Sequence, residues 1–235
     1  MDMETSLEEQ IEIANPQHPH CATVLIVDTS GSMAGDKIRQ LNDGIRFFRE
    51  DVAGDDLARK RVEVAVVSFG GSVGVAQDFS SIDDFTPPEM QADGGTPMGA
   101  AILQGIDMLR TRKQAYKEMG TDYYRPWVFL ITDGEPTDMK AGDDLWNKVV
   151  EAVHRGERDR EFLFFAVGVE PADMGVLTKI APPERSPLQL RSGRFAEMFA
   201  WLSKSQRQVS ASRVGDHVPL VDPTGPEGWA EIETI

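Results

Sequence analysis

Carboxylate and hydroxyl side chains follow apolar runs at separated points of the sequence. Asp28, Ser30 and Ser32 come directly after the run VLIV, and Asp133 follows the run WVFLIT. Thr96 lies in a third polar stretch, DGGTPMG, whose paired glycines allow an unusual backbone conformation or a close approach. Two carboxylates and three hydroxyls, without histidine or cysteine, are hard oxygen ligands that suit Mg²⁺ or Mn²⁺ better than zinc. These residues predict a metal site if the fold brings them together.

The fold class is indicated by four short apolar stretches that alternate with longer amphipathic ones. Most of the apolar stretches carry almost no charge, which is typical of strands buried on both faces of a parallel sheet. They are CATVLIV at 21–27, VEVAVVSF at 62–69, WVFLIT at 127–132 and EFLFFAVGV at 161–169. Helical periodicity predicts helices at 35–50, 96–114, 143–155 and 193–205. The prediction is an α/β fold with a doubly wound, mostly parallel central sheet flanked by helices.

In such a sheet the carboxyl ends of the strands meet at one edge, where ligands bind. Asp28 and Asp133 each end a predicted strand, so we expect their carboxylates to converge there. Ser30 and Ser32 alternate after Asp28, and in an extended loop both hydroxyls face the same point. Each aspartate alone is also a common turn residue, and Thr96 is a suitable N-cap for a helix that starts at Pro97. Capping and coordination are compatible roles for Thr96.

The D-x-S-x-S spacing of Asp28, Ser30 and Ser32, with Thr96 and the TDG aspartate Asp133, resembles the metal-ion-dependent adhesion site of von Willebrand factor A domains. The resemblance covers residues 20–205. It implies a non-enzymatic interaction module in which the two serines and the threonine contact Mg²⁺ or Mn²⁺ directly, while the two aspartates act mostly through water. It also implies a partner protein that supplies an acidic side chain to the metal.

Within that family, four segments look most like the short bacterial cytoplasmic members of the TerY and YegL type. The segments are DTSGSMAGDKI, VAVVSFGG, GGTPMGAAI and ITDGEPTD. Those members are associated with tellurium-resistance and metal-stress gene clusters. This resemblance implies a scaffold that acts beside a protein kinase and a phosphatase.

Composition excludes several other classes of partner and location. The formal net charge of -15 disfavours nucleic acid and anionic membranes. The single cysteine, Cys21, cannot form an intrachain disulfide, and the first residues lack the features of a signal peptide, so a cytoplasmic protein is expected. The longest apolar runs are strand-sized, which predicts no membrane span. His18 and His20, beside Cys21, have the residue types of a soft-metal site, but two alternating histidines at a polar strand entrance are more often surface residues, which is the expectation here.

The predicted domain organisation is a single folded unit with two flanking segments. The domain spans 19–205, and the acidic segment 1–18 is predicted to form a short helix that ends at Asn15-Pro16. The proline- and glycine-containing segment 206–235 is predicted to be an irregular tail, either packed on the domain or trailing from it. In the loop after Asp133, Glu135 and Asp138 form either an acidic rim of the site or a solvated loop.

A metal-dependent phosphohydrolase or phosphotransferase that uses Asp28 is the alternative function. A strand-terminal aspartate is a known phosphoryl acceptor. Such a site would need a second carboxylate in the same loop, where the sequence has Ser30, and a lysine near the phosphoryl group. The nearest lysine, Lys37, lies inside the first predicted helix and is expected to face solvent.

Two other catalytic motifs are weaker. The stretch GGSVG at 70–74 matches the G-x-S-x-G pattern of a hydrolase, but the following VAQDFSSI predicts a strand, whereas a nucleophile elbow leads into a helix. A hairpin turn describes Ser72 and its glycines better. A nucleotide site is also disfavoured, because GSMAGDK has the wrong spacing for a phosphate-binding loop.

Overall fold

The computed structural model describes residues 12–226 and 228–231, and its centre is one seven-stranded sheet. The strands are β1 (Cys21–Asp28), β2 (Val62–Gly70), β3 (Ser72–Ser81), β4 (Trp127–Thr132), β5 (Leu163–Val169), β6 (Leu188–Leu190) and β7 (Ala230–Glu231). The helices are α1 (Asp36–Ala53), α2 (Ala58–Arg61), α3 (Met98–Met119), α4 (Asp144–Arg158), α5 (Met174–Ile180) and α6 (Phe195–Ala211), and a 3₁₀ turn covers Gly31–Met33. Within the described residues no helix is long and apolar enough to span a membrane.

The strand order is β3-β2-β1-β4-β5-β6-β7, and the five inner strands run parallel. Only the edge strands β3 and β7 pair antiparallel with their neighbours. The chain moves from β1 to β2 on one side and later to β4 on the other, so the winding direction reverses between β1 and β4. The predicted doubly wound, mostly parallel sheet is therefore confirmed, and its switch point lies at the carboxyl ends of β1 and β4.

Helices cover both faces of the sheet, which explains why the inner strands are apolar throughout. All eight residues of β1 are buried, and they alternate between two cores. Leu25 and Val27 pack in the core that α1 and α6 cover. Val24 and Ile26 pack in the other core, beneath α3, α4 and α5. Burial on both faces fixes the strand register, because a slip of one residue would exchange the two sets of side chains.

The flanking segments differ in part from the prediction. The helix predicted over 1–18 falls largely on residues 1–11, which lie outside the described part, and residues 12–18 form bends and turns. Residues 206–211 extend α6, and β7 pairs with β6 at the sheet edge. Trp229 and Ala230 are buried, so this end of the described chain packs on the domain.

A buried ion cluster lies at the amino ends of β1 and β2, on the opposite edge from the predicted metal site. Arg112 of α3 donates two hydrogen bonds to the Glu63 carboxylate, at 2.8 and 2.7 Å, and the Tyr116 hydroxyl also donates to Glu63. The His20 ring stacks on Tyr116, with Nδ1 3.1 Å from Glu63 Oε1 but off-line for a hydrogen bond. The expectation that His20 is a surface residue is therefore wrong. Its ring is buried because Glu63 of β2 and Tyr116 of α3 lie against it.

The Glu63 carboxyl group stays ionised at pH values well below those at which a glutamate ordinarily becomes protonated. Burial alone would raise its pKa, but the hydrogen bonds from Arg112 and the electrostatic interactions with Arg112 and His20 outweigh burial and lower the pKa from 4.5 to about 2. A buried pair of this kind is costly to break, since the remaining partner keeps an uncompensated charge.

We expect Arg112→Met to lower the free energy of unfolding by about 3–5 kcal/mol, because it leaves the buried Glu63 carboxylate without its guanidinium partner. Arg110→Met is the matched control on the same helix, since Arg110 pairs with Glu161 at the surface and such a pair contributes at most about 1 kcal/mol. Urea unfolding of both variants measures the difference. An equal decrease in the free energy of unfolding in the two variants would contradict a special role for the buried pair.

The lowered pKa of Glu63 also predicts a pH dependence. A carboxyl group whose pKa is lower in the folded protein stabilises the fold while it is ionised. We expect this contribution to be complete above pH 4.5 and to be lost as the pH falls toward about 2. Its size is about 3 kcal/mol. The test is urea unfolding at stepped pH. As the pH falls through this range, the free energy of unfolding should decrease less in Glu63→Gln than in the unmodified protein. Parallel profiles of unfolding free energy against pH would refute the prediction.

Candidate metal centre

The two predicted aspartates meet at the carboxyl ends of β1 and β4. Asp28 is fully buried and Asp133 is 2% exposed. The Thr132 hydroxyl donates to Asp28 Oδ2 at 2.6 Å, and the backbone N–H of Ser30 donates to Asp28 Oδ1 at 2.8 Å. Both oxygens of Asp28 are therefore oriented by neighbouring groups. Thr132 was not predicted, although a hydroxyl that ends an otherwise apolar strand was a signal for it.

The serine hydroxyls connect the β1 loop to Asp133. Ser30 Oγ lies 3.0 Å from Ser32 Oγ, and the Ser32 hydroxyl donates to Asp133 Oδ1 at 2.6 Å. Ser30 is buried, whereas Ser32 is exposed. The alternation after Asp28 thus brings both hydroxyls to one point, as expected. The exposed side of the site lies at Ser32.

The loop that carries Thr96 is fixed to its neighbours by backbone hydrogen bonds. Gly31 N–H donates to Gly94 O at 3.0 Å, and Gly71 N–H donates to Gly95 O at 2.8 Å. Gly94 has φ +71°, and a Cβ there would lie 2.4 Å from Gly71 Cα. Glycine is required at this crossing because no side chain fits between the two backbones.

Thr96 is buried, and its hydroxyl lies near Asp28 beside Gly134. A Cβ added to Gly134 would lie 3.3 Å from Thr96 Oγ1 and 3.9 Å from Asp28 Oδ2, so both oxygens lie close to Gly134. The backbone of Thr96 is held by Thr137, whose hydroxyl accepts from Thr96 N at 3.0 Å. The structure therefore brings together all five residues that the sequence singled out.

The expectation that Thr96 caps the following helix is wrong. α3 begins at Met98, and no side chain of its flanking residue accepts a cap hydrogen bond. Instead Asp138 accepts from Gly99 N at 3.1 Å and from Ala100 N at 2.8 Å, so it performs the cap from another loop. The Thr96 hydroxyl is thereby left for the site. The sequence suggested that Asp138 belongs either to an acidic rim of the site or to a solvated loop. The structure shows instead that it caps α3.

Lys37 faces the site, contrary to the expectation that it faces solvent. Its Nζ lies 2.5 Å from Asp133 Oδ2 and also donates to the Ser32 carbonyl at 3.4 Å. The Lys37 side chain is 28% exposed. A cation thus already contacts one of the two carboxylates.

The surroundings of Asp28 disfavour its charged form. Burial is the largest effect on the pKa of Asp28 and raises it, and the nearby Asp133 charge raises it as well. The hydrogen bonds from Ser30 and Thr132 act in the opposite direction, but the pKa remains above its ordinary value. Within residues 12–226 and 228–231, no group of three or more histidine, cysteine, aspartate or glutamate side chains is placed to hold a metal. Two carboxylates with three hydroxyls remain a fitting donor set for Mg²⁺, which prefers oxygen ligands and retains waters.

The hydrolase interpretation of Ser72 is excluded by its position. Ser72 begins β3, which pairs antiparallel with β2 through Gly70 and turns at Gly71, where φ is +67°. This is the predicted hairpin. A nucleophile elbow needs a strand that leads into a helix.

A doubly wound sheet with polar groups gathered at its switch point defines a class of α/β domains that bind ligands at the carboxyl edge. The chain belongs to one family of that class: the model of the von Willebrand factor type A domain matches residues 23–199. The matched range contains all five predicted site residues. Domains of this family are protein-interaction modules.

Relatives agree with this assignment. Inter-alpha-trypsin inhibitor heavy chain H6 of Homo sapiens is 26% identical over 166 residues, and heavy chain H4 of Sus scrofa is 28% identical over 181 residues. The alignments cover 69% and 71% of this chain but only 12% and 19% of those proteins. The chain therefore spans less than a fifth of the length of either relative.

Solved structures show the same fold. A von Willebrand factor type A structure from Catenulispora acidiphila has a TM-score of 0.62 at 19% identity, and covers 83% of this chain and 44% of that one. The vWF domain of the type V pili tip protein Mfa5 from Porphyromonas gingivalis has a TM-score of 0.56 at 11% identity, and covers 85% of this chain and 99% of that one.

The division of roles between Thr96 and Asp138 is testable. We expect Thr96→Val to weaken Mn²⁺ binding, because it removes the hydroxyl that the sequence predicts as a metal ligand. Asp138→Ala should lower the free energy of unfolding by about 1 kcal/mol through loss of the cap and leave Mn²⁺ affinity near that of the unmodified protein. Asp143→Ala is the control for a cap distant from the ligands, since Asp143 caps α4 through Trp146 N at 2.7 Å. The reverse pattern, with Mn²⁺ binding lost in Asp138→Ala and kept in Thr96→Val, would contradict this assignment.

Proposed function

We propose that this protein is a non-enzymatic interaction module whose Mg²⁺ or Mn²⁺ site is completed by an acidic side chain of a partner protein. The ligands are Asp28, Ser30, Ser32, Thr96 and Asp133. The observation that carries the proposal is that short contacts link these residues, with Thr96 and Asp28 both near Gly134 and Ser32 on the exposed side.

The donor set explains why a partner carboxylate would bind. Hydroxyl ligands are neutral and do not cancel the charge of a divalent cation. When bound, the metal supplies an electrophilic coordination position for an incoming anion. Ser30 and Thr96 hold the inner side of the site, and the exposed Ser32 leaves the outer side accessible to a partner.

The finer proposal concerns the system in which the module works. The motif resemblance to bacterial TerY and YegL proteins supports a cytoplasmic scaffold in tellurite or metal-stress resistance, acting with a kinase and a phosphatase. The net charge of -15 fits a protein that binds neither nucleic acid nor an anionic membrane. Membership of the von Willebrand factor type A family supports the broader role in protein binding.

The metal site is tested by following free Mn²⁺ through its paramagnetic signal while it is added to the purified protein. We expect one saturable site, abolished in Asp28→Ala and in Ser32→Ala. Ser72→Ala, at an exposed serine of β3, is the control and should bind like the unmodified protein. Binding that is absent, or indifferent to Asp28 and Ser32, would overturn the proposal.

The partner is sought by affinity capture from bacterial lysate, with Mg²⁺ or with a chelator. We expect a captured protein that disappears both with the chelator and in Ser32→Ala. A partner retained in both conditions would show that binding does not depend on the metal site.

Phosphoryl transfer through Asp28 remains the second candidate function, and the position of Lys37 favours it. A lysine at the site is one of the two features that such an enzyme would need. The other, a second carboxylate in the β1 loop, is replaced by Ser30. Mg²⁺-dependent hydrolysis of p-nitrophenyl phosphate that is lost in Asp28→Asn would support this function, and no turnover above the rate without protein would exclude it for this substrate.

A further inference from the structure

Lys37 has an unusual position for a lysine. It is the second residue of α1, where the helix dipole places partial positive charge and disfavours a cation. Its ammonium group extends away from the helix to Asp133 Oδ2, at 2.5 Å, and to the Ser32 carbonyl. The contact with Asp133 therefore accounts for a placement that the helix itself opposes.

Asp133 needs a counter-charge. Its side chain is fully enclosed, and a second carboxylate, Asp28, lies in the same site. Buried carboxylates are costly unless a cation or hydrogen bonds compensate them. In the part of the chain that the structure describes, Lys37 is the only cationic side chain within 4.0 Å of either carboxylate. The ammonium group supplies the compensation that a divalent cation would also supply.

We propose that Lys37 competes with the divalent cation for Asp133, an inference that rests on the metal-dependent function proposed above. An ammonium group and a divalent cation on one carboxylate repel each other. Binding of the metal releases Lys37, whose flexible stem carries the charge into solvent beside Ser32. With both carboxylates ionised, Asp28, Asp133 and Lys37 together carry a charge of minus one. Adding the divalent cation, with the released Lys37 still nearby, changes this local charge to plus one.

This competition links the metal to the choice of partner. Before the exchange the site has a net negative charge and repels an acidic side chain. After the exchange both the metal and the released Lys37 attract one, on a protein whose overall charge is -15. Lys37 thus lowers the metal affinity and makes the attraction of an acidic partner depend on the bound cation.

The first test compares Mn²⁺ affinities. Lys37→Met keeps an apolar stem and removes the charge, and we expect it to bind Mn²⁺ about tenfold more tightly than the unmodified protein. Lys37→Arg keeps the charge and should remain near the unmodified affinity. Arg39→Met removes the same charge at an exposed position two residues away, and at physiological salt it should change the affinity by less than about twofold. Circular dichroism confirms that each variant is folded.

Each outcome of this comparison is decisive. Tighter binding in Lys37→Met alone supports the competition. Equal affinity in Lys37→Met and Arg39→Met overturns it and leaves the metal-dependent function intact. Weaker binding in Lys37→Met also overturns it, because the lysine would then order the site. No Mn²⁺ binding in any variant overturns both this inference and the proposed metal site.

The second test follows the ammonium group directly. Acetic anhydride acylates free lysine amines, and peptide mass spectrometry reports each site separately. We expect Mg²⁺ to increase acylation of Lys37 relative to the exposed Lys148, because the amine leaves Asp133. Buffer without divalent cations, with a chelator, gives the reference ratio of acylation at Lys37 to acylation at Lys148. Ser32→Ala should remove the increase that Mg²⁺ causes. An unchanged ratio of Lys37 to Lys148 on addition of saturating Mg²⁺ would overturn the proposed release.

Discussion

The parallel pairing of β1 with β4 is the constraint on which the candidate site depends. Val27 pairs with Ile131, so the next residues of the two strands, Asp28 and Thr132, lie side by side and are joined by a hydrogen bond. A slip of one residue would turn Asp28 toward the other face of the sheet. The two cores prevent such a slip, because the side chains of β1 are buried alternately in both of them. The hydrophobic packing of the sheet thus sets the positions of the polar ligands.

The main elements and the meeting of the five predicted residues could be derived from the sequence. Uncharged runs and helical periodicity extend over enough residues to identify β1, β4, α1 and α3. The carboxyl-edge rule then places Asp28 and Asp133 together without any knowledge of side-chain contacts. Elements of few residues could not be derived in this way: β6 has three residues and β7 has two, which is too short for a period to be recognised.

The sequence also could not predict which residues contact the site residues. Lys37 and Asp133 are 96 positions apart, and Thr132 and Asp28 are 104 apart, so no local pattern relates them. Asp138 caps a helix that begins 40 residues earlier in the chain, whereas a cap is normally sought in the preceding residue. His20 was expected at the surface because its sequence neighbours are polar, but Glu63 and Tyr116 reach it from other elements and contact its ring.

The polar groups of the site satisfy one another through the chain's own contacts: Thr132 with Asp28, Ser32 with Asp133, and Lys37 with Asp133. Such an arrangement differs from a zinc finger, in which the metal supplies the folding energy. Exchange of a cation at this surface would require only a side-chain rotation, with no refolding of the chain. The chain's own contacts would then hold the fold without the cation, which would add only the stabilisation that mass action gives to any bound ligand, while the binding surface followed the cation supply.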